Sequence, residues 1–180
     1  MIFDFSRIKN SKNLLAFSGG VDSSALFFLL LNHKIDFDIA IVNYNTREQS
    51  KDEIEYALNL AKEYKKEIFI KDVKLENSSN FEKNARDIRY IFFEQIIKEN
   101  SYETLITAHQ LNDRLEWFLM QLSKGAGLVE LFGIREFEEK KDYKIFRPLL
   151  NVSKDELENY LKENKIKYFI EHLYIYTFNK

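Results

Sequence analysis

The apolar run Leu14-Leu15-Ala16-Phe17 passes directly into Ser18-Gly19-Gly20-Val21-Asp22-Ser23-Ser24, and a helical pattern follows from Ala25. No other stretch of the chain narrows the fold as far. The run reads as a buried strand, and Ala25, Phe28, Leu29 and either Leu30 or Leu31 recur on one side of the helix. A strand that runs through two glycines into a helix start is an anion-binding geometry. Glycine lets backbone approach a phosphate closely, and the helix start points unpaired N–H groups at negative charge. Ser18, Ser23 and Ser24 add hydroxyl donors, and Asp22 can hold a magnesium ion against phosphate oxygens. No lysine follows the glycines, which excludes the Walker-type phosphate loop. The plain alternative is a strand–turn–helix junction in which Ser or Asp caps the helix.

Further along, Phe37–Val42, Ile68–Val73 and Thr104–Ala108 read as strands. Between them lie helical patterns. Gln49 to Tyr64 repeats Ile54, Leu58 and Ala61; the helix from Phe81 carries Phe81, Ala85, Ile88, Phe92 and Ile96. The helix after Ala108 is expected to turn Leu115, Phe118, Leu119 and Leu122 inward. Strands alternating with helices at this spacing predict an α/β fold: a doubly wound, mostly parallel sheet with helices on both faces and right-handed crossovers. Ligands of such sheets bind beyond the carboxyl ends of the strands, where the glycine loop falls. Asn77–Asn80 is a polar break, and Ile134–Phe146 reads as a charged hairpin turning at Lys140-Lys141-Asp142. A last helix starts after Ser153, with Glu156 completing a capping box.

Composition excludes several classes. A net charge of −2 gives no global pull on nucleic acid, so any RNA contact must use a local basic patch. The absence of cysteine removes disulfides, thiolate metal sites and cysteine nucleophiles. The start lacks the pattern of a secretory signal, and no apolar run is long enough to span a bilayer. The expected address is the cytoplasm, with no membrane partner. At 180 residues without repeat or linker, one domain is expected.

Thr107-Ala108-His109 with Asp113 and Glu116 is the second informative stretch. His109 sits at a strand end facing the same crevice as the glycine loop, and Asp113 and Glu116 share a helix face at i, i+3. Two carboxylates near a bound triphosphate can hold magnesium or receive a cationic substrate. Taken alone, they also read as a solvated first turn favoured by the helix dipole, and His109 as a hydrogen-bonded structural histidine. Arg86 and Arg89 can clamp a phosphate or carboxylate, although Glu82–Arg86 also reads as an intrahelical pair. Gly125 and Gly127 either cap a helix or let backbone approach a nucleotide.

The Ser18–Ser24 loop resembles the pyrophosphate loop (PP-loop) of the ATP pyrophosphatases, which cleave ATP between the α- and β-phosphates. In order along the chain come Arg47 with Ser50, Asn84-Ala85-Arg86 with Arg89-Tyr90, and Thr107-Ala108-His109 with Asp113 and Glu116. Gly125-Ala126-Gly127-Leu128 with Leu131 and Gly133, Arg147-Pro148-Leu149-Leu150 and the helix after Ser153 follow. Together they resemble the tRNA(Ile)-lysidine synthase family over residues 14 to about 168. The resemblance implies an adenine nucleotide alpha hydrolase-like fold and a ligase using ATP and magnesium. It would join lysine to the wobble cytidine of tRNA(Ile) through an adenylated intermediate. By position, Ser18, Gly19, Gly20, Val21, Asp22, Ser23, Ser24, Gly125 and Gly127 would bind ATP, and Asp22 and Asp113 would hold the metal. Asp113 and Glu116 would orient the lysine, Arg86 and Arg89 would contact phosphate, carboxylate or tRNA, and His109 would lie near the adenylate.

The chain departs from the family's usual residues at Tyr44, Asn45-Thr46, Gln110, Asn112, Arg114 and Trp117. Past Tyr168 the resemblance ends, and Phe169–Lys180 is rich in Tyr and Phe. The expected organisation is a nucleotide-binding core over about 13–134, a hairpin and helix over 135–180, and no tRNA-binding domains. A different PP-loop ligase, or an ATP-binding domain without full activity, remains the alternative. Oligomeric state, a homodimer included, is left open.

Overall fold

The computed structural model describes residues 3–45, 50–73, 81–127 and 133–169. A short 3-10 turn over Ser6–Ile8 precedes the first strand, β1 (Asn13–Ala16). Then follow α1 (Val21–Asn32), β2 (Asp38–Asn43), α2 (Ser50–Glu63), β3 (Ile68–Asp72), α3 (Phe81–Asn100) and β4 (Thr104–Ile106). The chain continues through α4 (Leu111–Ser123), β5 (Phe137–Glu139), β6 (Lys144–Phe146) and α5 (Lys154–Glu163). The six strands form one sheet in the order β3-β2-β1-β4-β6-β5. All neighbours are parallel except the β5–β6 hairpin at one edge.

Strand residues alternate between two cores because successive side chains leave opposite faces. Leu15, Ile39, Ile41, Ile106 and Phe146 face a core shared with α1, α2 and α5. Leu14, Ala40, Leu105 and Ile145 face the other, which α3 closes with Phe93, Ile96 and Ile97. The crossovers explain the split: α1 and α2 both carry the chain outward from β1 and share one face. α3 carries it back across the sheet to β4, over the opposite face.

Three apolar patterns land differently from the reading of the sequence. α1 is buried nearly all round, with Leu26 and Phe27 inaccessible and Phe28 and Leu31 only partly covered. α5 packs on α1, so a single inward stripe is not what this helix needs. In α2 the buried apolar positions are Tyr56, Ala57, Leu60 and Ala61, while Leu58 is exposed. The largest correction is α4. Leu115, Leu119 and Leu122 are each more than half exposed, and the helix has no buried residue. Helical spacing defined the apolar face correctly but carried no information about what lies against it.

Each helix ends in the same way. After α1, Ile35 N–H bonds the Leu30 carbonyl; the equivalent closures are Lys66 to Ala61, Tyr102 to Ile97, Ala126 to Gln121 and Ile166 to Leu161. This six-residue closure needs a left-handed residue just before the donor. Gly125 fills that position after α4, but Lys34, Lys65, Ser101 and Lys165 fill it elsewhere, all with φ between 54° and 57°.

Phe27 packs edge-on against Phe37 and Tyr64 at 5.2 and 5.6 Å between ring centres. Phe27→Ala is expected to cost about 3–5 kcal/mol in urea denaturation, against less than about 0.5 kcal/mol for Leu119→Ala on α4.

Candidate functional site

β1 ends at the glycine loop, and its conformation is held from inside. Gly19 lies in the left-handed region at φ +80°, and Gly20 precedes α1 in extended backbone. Gly20, the N-cap residue, makes no side-chain cap bond at the start of α1, the end of a helix that favours an anion. Ser18 N–H donates to the Ser23 hydroxyl at 3.2 Å, and the two serine hydroxyls lie 3.1 Å apart. Ser24 is fully buried beneath the loop and donates to the Gly19 carbonyl at 3.2 Å.

Above the loop opens a cavity of about 250 Å3 at the carboxyl ends of β1 and β4. Ser18, Gly20, Val21, Asp22 and Ser23 form its floor. Arg86 and Arg89 of α3 reach it from one side, His109 and Asp113 from β4 and α4. These residues, far apart in sequence, were expected at one crevice, and the fold brings them together. Gly19 and Ser24 support the loop without lining the cavity.

Three expected residues lie elsewhere. Glu116 is exposed and does not line the cavity, although it is one turn from Asp113. Gly125 is the left-handed residue that closes α4, and neither it nor Gly127 lines the cavity. The side chain of Glu82, the segment around Arg47 and the polar break at 77–80 fall outside the described residues, as do Leu128 and Leu131.

Asp113 has a local task as well. Its carboxylate accepts the Gln110 N–H at 2.8 Å, and the Gln110 side chain accepts from Asn112 N–H at 2.6 Å, a reciprocal cap on α4. The cap fixes where Asp113 stands relative to the cavity.

His109 stands 2.9 Å from the Thr107 hydroxyl through Nδ1, which leaves Nε2 without a hydrogen bond among the described residues. Burial and the nearby Arg147 guanidinium push its pKa down to about 4; Arg86 and Arg89 add to this, and Asp113 opposes it. The imidazole is therefore neutral at pH 7. Arg147 is itself buried and held by the Arg135 carbonyl at 2.9 Å and the Glu138 carboxylate at 2.8 Å.

Tyr44 donates to the Ala85 carbonyl at 2.8 Å and so ties the end of β2 to the helix that carries Arg86 and Arg89. Arg86 lies 5.6 Å from the Tyr90 ring centre, and Arg89 makes no hydrogen bond or ion pair among the described residues. Lys154, Glu158 and Phe169 also line the cavity, and reading the sequence missed them. Lys154 and Glu158 are one turn apart on α5, so they belong to one helix face, but nothing local shows that this face reaches the loop.

Among the described residues no cluster of three or more His, Asp or Glu could hold a metal alone. Asp22 and Asp113 on one cavity nevertheless suit magnesium, which is commonly held by one or two carboxylates with phosphate and water oxygens completing the shell.

A parallel sheet with a glycine loop at the end of its central strand, opening beneath two arginines and two aspartates, defines an ATP-binding PP-loop domain. The model of that domain matches residues 3–172, and the chain belongs to this family. It is similar to the tRNA(Ile)-lysidine synthase of Campylobacter jejuni, 56% identical over 90% of this chain and 50% of that protein. The tRNA(Ile)-lysidine synthase of Helicobacter pylori is 53% identical over 88% of this chain and 47% of its own length. The chain thus spans about half the length of these curated relatives. Among solved structures, the U34-tRNA thiolase NcsA of Methanococcus maripaludis superposes with a TM-score of 0.75. It is 22% identical and covers 93% of this chain and 61% of that one. The ammonia-dependent NAD synthetase of Campylobacter jejuni gives 0.56 at 18% identity, covering 89% and 68%. Both share the fold. No helix among the described residues is long and apolar enough to cross a membrane.

The unfolded chain takes up a proton on His109 near pH 6.5, whereas the folded chain resists until about 4. The His109 contribution to stability is therefore full above about pH 6.5 and is lost as pH falls toward 4. Proton NMR should show one imidazole titrating near 4, and His109→Asn should flatten the fall in urea midpoint between pH 6.5 and 4.

Proposed function

We propose that this domain carries the ATP-using chemistry of a tRNA(Ile)-lysidine synthase. Its reaction joins free lysine to the wobble cytidine of the CAU-anticodon tRNA(Ile). The observation that carries the reading is the single cavity that unites the loop, Asp22, Asp113, His109, Arg86 and Arg89, in a chain half identical to proteins of that name.

The first step has the cytosine C2 oxygen attack the ATP α-phosphorus while the bond to pyrophosphate breaks. In the second, the lysine ε-amine attacks C2 and the C–O bond to AMP breaks. The loop N–H groups and serine hydroxyls hold the phosphates. Arg86, Arg89 and Lys154 surround the growing charge on the leaving pyrophosphate, and such placed charges are the main source of rate in phosphoryl-type transfer. Asp22 and Asp113 would hold magnesium, which would supply charge neutralisation of the phosphates.

The incoming lysine is cationic and must lose a proton to attack. Asp113 receives its ammonium, and the neutral His109 imidazole, lining the same cavity, is placed to hydrogen-bond the attacking amine, whose proton passes to solvent. With Glu116 outside the cavity, Glu158 of α5 is the second carboxylate that a lysine would meet. The reaction takes place in the cytoplasm.

Incubation with ATP, magnesium, labelled lysine and a CAU-anticodon tRNA(Ile) transcript tests the reading. Lysine should enter RNA with release of AMP, and Asp22→Ala or Asp113→Ala should lower the rate by on the order of 10²-fold or more. ATP binding without lysine incorporation would restrict the activity to nucleotide binding, and no ATP binding would defeat the proposal. Glu158→Gln should raise the KM for lysine about tenfold with the KM for ATP little changed, whereas Glu116→Gln should alter neither.

A further inference from the structure

After α5 the chain returns to the glycine loop. Phe169 N–H donates to the Gly19 carbonyl at 3.0 Å, and Gly20 and Phe169 pair as a short parallel bridge. The returning segment is itself anchored: the Tyr56 hydroxyl donates to the Lys167 carbonyl at 2.5 Å. The Phe169 ring packs edge-on against Tyr56 at 5.8 Å between centres and lies 3.5 Å from where a Cβ on Gly19 would stand. Phe169 also lines the cavity.

The Gly19 carbonyl therefore receives two donors from opposite ends of the chain, the Ser24 hydroxyl and the Phe169 N–H. A trans peptide sets the N–H of Gly20 antiparallel to that carbonyl, so fixing one fixes the other. The restraint matters because two successive glycines have almost no steric bar to rotating the peptide between them. A rotated peptide would offer a carbonyl oxygen where an anion needs an N–H.

We propose that Lys167–Phe169 is a positioning strap for the phosphate loop, holding the Gly19–Gly20 peptide so that the Gly20 N–H is presented to the phosphates of ATP. Phe169 acts through its backbone and is a positioning residue. The strap rests on the reading of the cavity as an ATP site, and it deepens that reading by making affinity for the phosphates depend on a segment 150 residues away.

The 180-residue protein with Phe169→Pro lacks the donating N–H, whereas Phe169→Leu retains it along with an apolar side chain. Calorimetric titration with ATP, inorganic pyrophosphate and adenosine is compared with the melting temperature of the free protein. Phe169→Pro should bind ATP and pyrophosphate about tenfold more weakly than Phe169→Leu does, with the two variants equal in adenosine affinity. Equal weakening by both variants, loss of adenosine affinity in parallel, or no weakening by Phe169→Pro would overturn the strap. Should Phe169→Pro not fold, Tyr56→Phe decides: pyrophosphate binding should weaken about threefold, and unchanged binding sinks the idea. A parent protein that binds no ATP would instead overturn the underlying reading, and the strap with it.

Discussion

β1 has no free face and no free edge. Leu14 and Leu15 are fully buried in opposite cores, and β2 and β4 pair with it on either side. A strand enclosed in this way can meet water or a ligand only at its ends. The glycine loop stands at its carboxyl end, and the parallel neighbours deliver their own carboxyl ends to the same rim. His109 and Asp113 after β4, and Tyr44 after β2, thus share one rim because the strands share one direction. The site is a consequence of how the central strand is buried.

Charge at that rim is organised around a neutral imidazole. Arg147 is buried next to the hairpin, paired with Glu138, and contributes to His109 through field alone, while Arg86 and Arg89 contribute from α3. Burial first, and then the positive charge of Arg147, Arg86 and Arg89, keeps His109 unprotonated. His109 is thus an uncharged hydrogen-bonding group at neutral pH without a dedicated partner to hold it neutral.

The strands and most helices were legible from period and turn chemistry, and so was the loop, because a strand, two glycines and a helix start lie next to each other in sequence. The capping box at Ser153 was legible for the same reason. What failed was information carried by packing. Leu115, Leu119 and Leu122 have helical spacing, but spacing does not say which neighbour a helix receives. Glu116 shares a face with Asp113 in an ideal helix, yet the Asp113 carboxylate turns back to cap Gln110 and Glu116 stays in solvent. Lys154, Glu158 and Phe169 reach the cavity only because α5 packs on α1. Arg147 was visible in the Arg-Pro-Leu-Leu motif, but its effect on His109 depends on burial that no local pattern reveals.

The helix ends carry one more consequence. Glycine occupies the left-handed position at the phosphate loop and after α4, whereas lysine or serine occupies it after α1, α2, α3 and α5. Each of those side chains holds a conformation that costs an L-residue about 1 kcal/mol. The closing hydrogen bonds, with Ile35 and Tyr102 buried beside them, are enough to impose it. Some of the cohesion of this domain is thus spent on four surface corners remote from any chemistry. They form a dispersed reserve of strain that could be relieved one residue at a time without touching the sheet, the loop or the cavity.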